Sequence, residues 1–96
     1  MPKARTKKAG LQLRLYIAGS APNSVRAVAN ARAICAEYFP SAHEMEIVDL
    51  LDYPLRALAD EIIVTPTLLK LLPLPVQRVV GDLSDKKQLL LAMGGK

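Results

Sequence analysis

The chain has 96 residues, which is enough for one small domain with a single hydrophobic core and excludes a two-domain enzyme. Hydrophobic residues make up 51% and charged residues 23% of the chain, a composition typical of globular rather than disordered proteins. Cys35 is the single cysteine, which excludes a disulfide-stapled domain and excludes dithiol–disulfide exchange within one chain.

The formal net charge of +4 comes from the N-terminal residues. Four bases and no acid lie in residues 1–10, and the nine remaining bases balance the nine acids. We therefore predict a basic disordered tail over residues 1–10 and one neutral domain over residues 11–96. A weak, salt-sensitive contact of the tail with an acidic partner or nucleic acid is the alternative to simple solvation, and nucleic-acid binding by the domain is not expected.

Two apolar stretches resemble, at first sight, a signal peptide and a membrane span. Leu11–Ala18 is interrupted by Gln12 and Arg14, which gives the two-residue period of a strand rather than the continuous run of a signal peptide. Ile62–Val76 contains Lys70 and three prolines and is too short to span a bilayer. We therefore expect a cytoplasmic protein that makes no membrane contact.

The first half of the chain predicts a strand, a helix and a second strand. Leu11–Ala18 is predicted to form the first strand. A helix is predicted to begin near Pro22–Ser24 and to run to about Tyr38, with Ser20 or Asn23 as its candidate N-cap. The apolar residues of this helix fall on one stripe: Val28, Ala31, Cys35 and Phe39. The second strand is predicted over Met45–Leu50, where acidic and apolar side chains alternate: Glu44, Met45, Glu46 and Ile47.

The second half begins with a short predicted helix. Asp52 stands at its N-cap position, ahead of Pro54. Its apolar stripe follows the spacing i, i+3, i+4 and i+7: Leu55, Leu58, Ala59 and Ile62. Strands are predicted over Thr67–Leu71 and Val76–Val80, with Pro73 and Pro75 in the turn between them.

The end of the chain predicts one more helix. Gly81 and Asp82 end the preceding strand, and Ser84 is the expected N-cap of a helix from Asp85 to Met93. Gly94 ends that helix.

The resulting order, β-α-β-α-β-β-α, predicts an α/β protein with a mixed sheet. The first two strands are expected to be parallel with a right-handed crossover, and the last two to form a hairpin. This is the outline of a thioredoxin-like fold. A cis proline occupies the position of Pro66 in such folds, so we predict a cis Thr65–Pro66 bond. The loop that would carry redox cysteines, Gly19–Ser24, contains none.

No catalytic or metal-binding constellation is evident, so no cofactor is expected. Cys35 lies on the apolar stripe and is interpreted as a buried thiol. His43 is expected to be exposed and has no second soft ligand near it in the sequence. The paired carboxylates are interpreted as strand ends, helix caps and turns: Asp49 with Asp52, and Asp82 with Asp85.

Several segments in the same order, covering roughly residues 11–93, resemble the KaiB family of circadian clock proteins. They are Leu15–Gly19, Pro22–Ala27, Val48–Leu50 followed by Pro54, Thr65–Leu68, Leu72–Val76 and Arg78–Ser84. The resemblance implies a protein that is not an enzyme and that binds KaiC, a hexameric ATPase and autokinase. It also implies capture of KaiA and competition with the histidine kinase SasA.

The resemblance further implies two folds that share the first half of the chain. One is the thioredoxin-like state that binds KaiC, with Pro66 fixing that fold. The other is a tetrameric ground state whose second half, from about Asp52, is rearranged. Leu68–Leu72 is apolar at every position except Lys70, so its periodicity does not separate helix from strand. Ala92 and Gly94 differ from the usual family pattern at the end of the chain, so we expect the thioredoxin-like state to dominate as a monomer or weak oligomer, with the tetramer as the alternative.

By the same resemblance, partner binding is assigned to the second strand and second helix. The candidate residues are Glu44, Glu46, Asp49, Tyr53 and Glu61. Clock members commonly carry lysine at the positions of Glu46 and Glu61, so we expect a divergent KaiC-like partner with a basic surface. A binding module for a histidine kinase or stress regulator is the second hypothesis. A thioredoxin-fold enzyme, which would need a reactive Cys35, is the third.

Overall fold

The computed structural model describes residues 10–94, which form a four-stranded mixed sheet with helices on both faces. The elements in chain order are β1 (Leu11–Ile17), α1 (Pro22–Tyr38), β2 (His43–Asp49), α2 (Pro54–Ala59), β3 (Thr67–Leu72), β4 (Gln77–Val80) and α3 (Lys86–Ala92). The strand order is β2-β1-β3-β4. β1 and β2 are parallel, whereas β3 runs antiparallel to both β1 and β4. The predicted element order and thioredoxin-like topology are confirmed.

The larger core lies between the sheet and the two helices α1 and α3. Leu11, Leu13 and Leu15 alternate along β1 and are fully or almost fully buried. The predicted stripe of α1 is confirmed: Ala31 and Cys35 are completely buried, and Val28 and Phe39 pack against the same cluster. Leu89 and Met93 close this core from the C-terminal side.

The smaller core lies on the opposite face of the sheet, under α2. It consists of Tyr16, Val48 and Leu69 from three strands, with Ala57 as the one buried residue of α2. The predicted apolar stripe is wrong within the helix, because Leu55 and Leu58 are 77% and 73% exposed and Ala59 is exposed too, whereas Ile62, after the helix, packs against this core as predicted. α2 has only six residues, and its contacts with the sheet rather than its apolar period set its rotation.

The predicted helix caps are also wrong. α1 and α2 begin at Pro22 and Pro54 after Ala21 and Tyr53, and neither helix has a side-chain cap. The predicted N-caps Ser20, Asn23 and Asp52 therefore make no capping contact. At α3 the N-cap is Asp85 instead of the predicted Ser84, and Asp85 Oδ1 accepts a hydrogen bond from the Gln88 amide at 3.0 Å. Proline at the first helical position has no N–H to cap, which lowers the need for a side-chain acceptor.

Residues predicted to shape the second half lie at element ends. The Thr65–Pro66 bond is cis, as predicted, and the buried Pro66 carbonyl accepts a hydrogen bond from the Gly81 amide at 3.0 Å. Gly81 and Gly94 have positive φ of 117° and 89°, a conformation that favours glycine, at the ends of β4 and α3. Asp82 accepts from the Ser84 amide at 3.0 Å and pairs with Arg26 at 3.4 Å. Ala92 is the last residue of α3.

His43 differs from its expected exposure. It is the first residue of β2, is half-buried, and its Nδ1 lies 2.6 Å from the Phe39 carbonyl. Within residues 10–94 no cluster of three or more His, Cys, Asp or Glu side chains could hold a metal ion. None of the helices in this part of the chain has the length and apolar character needed to cross a bilayer. The predicted tail lies almost entirely outside the described residues.

Candidate partner-binding site

The five predicted partner residues lie along β2 and around α2. Glu44 and Glu46 are two residues apart on β2 and therefore face the same side of the sheet, the side covered by α2. Tyr53 precedes α2 and is 55% exposed, and Glu61 follows it with an exposed side chain. The Asp49 carboxylate instead joins two loops, since its Oδ1 accepts hydrogen bonds from the Gly19 amide after β1 at 3.1 Å and from the Leu51 amide after β2 at 3.0 Å.

Glu46 is held between two arginines. Arg56 on α2 forms a bidentate pair with it, with Nη1 at 2.7 Å from Oε2 and Nη2 at 2.8 Å from Oε1. Arg14 on β1 places Nε 3.0 Å from Oε1, as expected from its register opposite Glu46. These contacts, with Arg56 first and Arg14 second, lower the pKa of the Glu46 carboxyl from its ordinary 4.5 to about 2.

Asp60, just after α2, is the second acid of the network. The Tyr16 hydroxyl donates to its Oδ2 at 2.5 Å, and Arg14 Nη1 lies 3.0 Å from the same oxygen. The hydrogen bond from Tyr16, followed by that from Arg14, lowers the pKa of Asp60. Burial, reinforced by Asp60, raises the pKa of the Tyr16 hydroxyl. The single hydrogen of this hydroxyl is shared between Asp60 Oδ2 and the Arg56 carbonyl oxygen, which lies 3.0 Å from the phenol oxygen.

Arg78 on the edge strand β4 binds the end of α2. Its Nη2 donates to the Asp60 carbonyl at 2.6 Å and its Nη1 to the Glu61 carbonyl at 3.3 Å. These carbonyls follow the last turn of the helix, where backbone acceptors lack partners within the helix. Arg78 thus links the β3–β4 hairpin to α2.

This network, formed by the side chains of Arg14, Tyr16, Glu46, Arg56 and Asp60, was missed by sequence reasoning. Its ion-paired members are 32, 46 and 10 residues apart. The Arg14–Glu46 contact is the part of the network that strand pairing could have predicted, because the parallel register of β1 and β2 places Arg14 opposite Glu46. Two arginines balance two carboxylates here, so Glu46 is not an uncompensated negative charge that would require a basic partner surface. A lysine at position 46 would lie between two arginines.

The surface that α2 presents to solvent is apolar. We call it the α2 apolar surface, and it consists of Leu51, Tyr53, Leu55 and Leu58, which are 55–77% exposed. Large apolar side chains grouped in this way on a small domain are typical of protein–protein contact sites. Glu61 follows α2 in the chain, whereas Glu44 lies near the start of β2, opposite Gln12.

The thiol of Cys35 has the properties of a core residue. It is completely buried, and burial raises its pKa. The thiolate is the reactive form of cysteine, so a raised pKa and a buried sulfur both disfavour nucleophilic chemistry. The geometry therefore gives no support to the thioredoxin-fold enzyme hypothesis.

Comparison with known proteins gives both sequence relatives and structural neighbours. The KaiB domain model matches residues 14–94. Over 81 residues the chain is 44% identical to the circadian clock oscillator protein KaiB of Synechococcus elongatus and 46% identical to the circadian clock protein KaiB3 of Synechocystis sp.. Each alignment covers 84% of this chain and 79% of the relative.

Two solved structures illustrate the structural likeness. The N-terminal domain of Synechococcus elongatus SasA matches with a TM-score of 0.73 and 26% identity, over 90% of this chain and 85% of that one. Fasciola hepatica thioredoxin matches with a TM-score of 0.72 over 95% and 86% of the two chains, but at 17% identity this likeness shows the fold alone. The family model and the sequence relatives together establish that the chain belongs to the KaiB family.

Proposed function

We propose that this protein is a non-enzymatic binding module that binds and regulates a KaiC-like hexameric ATPase in a timing system. The observation that carries the proposal is the α2 apolar surface. Leu55 and Leu58 are exposed to solvent there, although Ala57 of the same helix is buried in the smaller core. Its sequence relatives are named as circadian clock proteins, and the SasA domain with the same fold is a clock-related neighbour. A KaiA-like or SasA-like protein would be a further partner or a competitor.

The proposed binding site is the α2 apolar surface together with Glu44 and Glu61. Tyr53 belongs to its apolar part, whereas Glu46 and Asp49 make the intramolecular contacts described above. The binding unit is the domain over residues 11–96, and it needs no cofactor. The domain acts in the cytoplasm in the thioredoxin-like state, as a monomer or weak oligomer.

Gel filtration with the KaiC homologue of the same organism, in ATP or in ADP, tests this proposal. We expect the protein to co-elute with the hexamer in at least one nucleotide. Separate elution in both would contradict the proposal and would favour a histidine kinase or stress regulator as partner.

Two leucine variants locate the site. Leu58→Ala on α2 should weaken the affinity about tenfold, because apolar anchors at the centre of an interface carry much of its binding energy. Leu91→Ala is the matched control, since Leu91 is 62% exposed on α3, which packs against the opposite face of the sheet. Equal losses in both variants would exclude the α2 apolar surface as the binding site.

A further inference from the structure

The orientation of α2 is opposite to the one its sequence favours. The apolar stripe of the helix would bury Leu55 and Leu58, yet both face solvent. Arg56, Ala57 and Asp60 face the sheet instead, and the arginine and aspartate, four residues apart, lie on one side of the helix as its period requires. Burial of two leucines would be favourable, so the observed rotation depends on what the other side of the helix contacts, which includes the buried Ala57.

Polar contacts act at both ends of α2. Near its start, the guanidinium fork of Arg56 binds both oxygens of Glu46, and such a planar bidentate pair restricts orientation more than a single contact does. After its last turn, Asp60 is fixed by Arg14 and Tyr16 through its side chain and by Arg78 through its carbonyl. Of these contacts, the Arg56–Glu46 pair acts directly on a residue within α2, whereas Asp60 lies just after the helix.

We infer that Glu46 and Arg56 are positioning residues, which keep Leu55 and Leu58 turned toward the partner without touching the partner themselves. The inference rests on the proposed function for the meaning of the α2 apolar surface. It differs from the sequence-based assignment, in which Glu46 contacts the partner. It also explains why an acid at this position is compatible with partner binding, since Arg56 on the same chain neutralises it.

Thiol labelling measures the rotation of α2 directly. Leu58→Cys introduces an exposed thiol, and the buried native Cys35 serves as an internal reference. Adding Arg56→Gln should slow labelling of the introduced thiol about threefold, because a partly exposed ion pair shifts an equilibrium by about that factor. Labelling of Cys35 should stay unchanged. Arg56→Lys keeps the charge but not the fork, so it should restore part of the labelling rate. Arg32→Gln, an exposed arginine on α1, is the matched control.

Two labelling results would overturn the inference. An unchanged rate for the introduced thiol would show that the pair does not set the rotation. Faster labelling of both thiols would show that Arg56 supports the fold in general rather than the orientation of α2.

Partner affinity then separates positioning from contact. Affinity for the KaiC homologue is compared for Glu46→Gln, Arg56→Gln and the double variant, all with native Leu58. A positioning pair predicts that each single variant loses about threefold and that the double variant loses no more. Independent, multiplicative losses would mean that Glu46 contacts the partner and would overturn the inference. If the native protein does not bind the homologue at all, the proposed function fails, while the labelling result still decides the role of the pair.

Discussion

The face of the sheet under α1 and α3 is stabilised by a large apolar core, whereas the face under α2 combines a smaller apolar core with directional polar contacts. The first face buries leucines of β1 together with α1 side chains such as Ala31 and Cys35. The second has a smaller apolar cluster of Tyr16, Val48, Leu69 and Ala57 and adds the network of two arginines and two carboxylates. The difference leaves the leucines of α2 in solvent, where a partner can reach them.

A core truncation under α1 and α3 should have the largest effect on stability. Leu15 is completely buried, so Leu15→Ala should lower the free energy of unfolding by about 3 kcal/mol through lost burial and the cavity it leaves. Urea denaturation followed by circular dichroism measures this change. Leu55→Ala is the control, and its effect should stay within about 0.5 kcal/mol. Similar losses for both leucines would mean that the two faces do not differ as described.

Removal of one hydroxyl tests the polar face. Tyr16→Phe keeps the buried ring but removes the hydrogen bonds to Asp60 and to the Arg56 carbonyl. We expect a loss of about 1 kcal/mol in the free energy of unfolding, because the carboxylate loses a donor on its buried side. Tyr53→Phe, at an exposed tyrosine, should be neutral in the same urea titration. A neutral Tyr16→Phe would show that this hydroxyl adds nothing to the attachment of α2.

Acid should weaken the polar face selectively. The pKa of Glu46 is lowered from 4.5 to about 2 by folding, so its contribution is present above the unfolded pKa and is lost as pH falls through that interval. The lowered pKa of Asp60 acts in the same direction. Thermal unfolding from pH 6 to about pH 2 measures the loss, and Glu46→Gln should make the pH dependence shallower. An identical pH dependence in this variant would contradict the assignment.

The smallest expected effect is a gain in stability from a substitution at Glu61. Glu61 has a φ of 58°, in the left-handed region that costs residues with a Cβ atom. Glu61→Gly should therefore raise the free energy of unfolding by about 0.5 kcal/mol after the entropy of glycine in the unfolded chain is counted. Glu61→Ala keeps the Cβ atom and should give no such gain. A larger gain from alanine than from glycine would exclude backbone strain as the cause.

Most of the fold was predictable because its signals are local. The alternation of Leu11, Leu13 and Leu15 marks a half-buried strand, and the spacing of Ala31 and Cys35 marks one face of a helix. The cap of α3 was predicted wrongly because two neighbouring residues compete for the same role. Asp85 rather than Ser84 caps α3, and sequence spacing alone does not separate two good capping residues one position apart.

The candidate site itself stays a prediction, and the structure shows only where its residues lie. Tyr53 and Glu61 do lie beside α2, but Glu46 and Asp49 are engaged within the chain. The binding roles of these residues remain predictions that the experiments above address. The rotation of α2 could not be obtained from its apolar period, because that period points to the opposite face.

The sequence by itself determined the element order, the burial of the α1 stripe and the membership of the KaiB family, since periodicity and family motifs are properties of short segments. The tertiary structure alone decided which side of α2 faces the sheet. That choice depends on Arg56 meeting Glu46 and on Asp60 meeting Arg14, contacts that form only when β1, β2 and α2 are assembled. Charge pairing between distant residues has no periodic signal, so the spacing of apolar residues in the sequence does not reveal it.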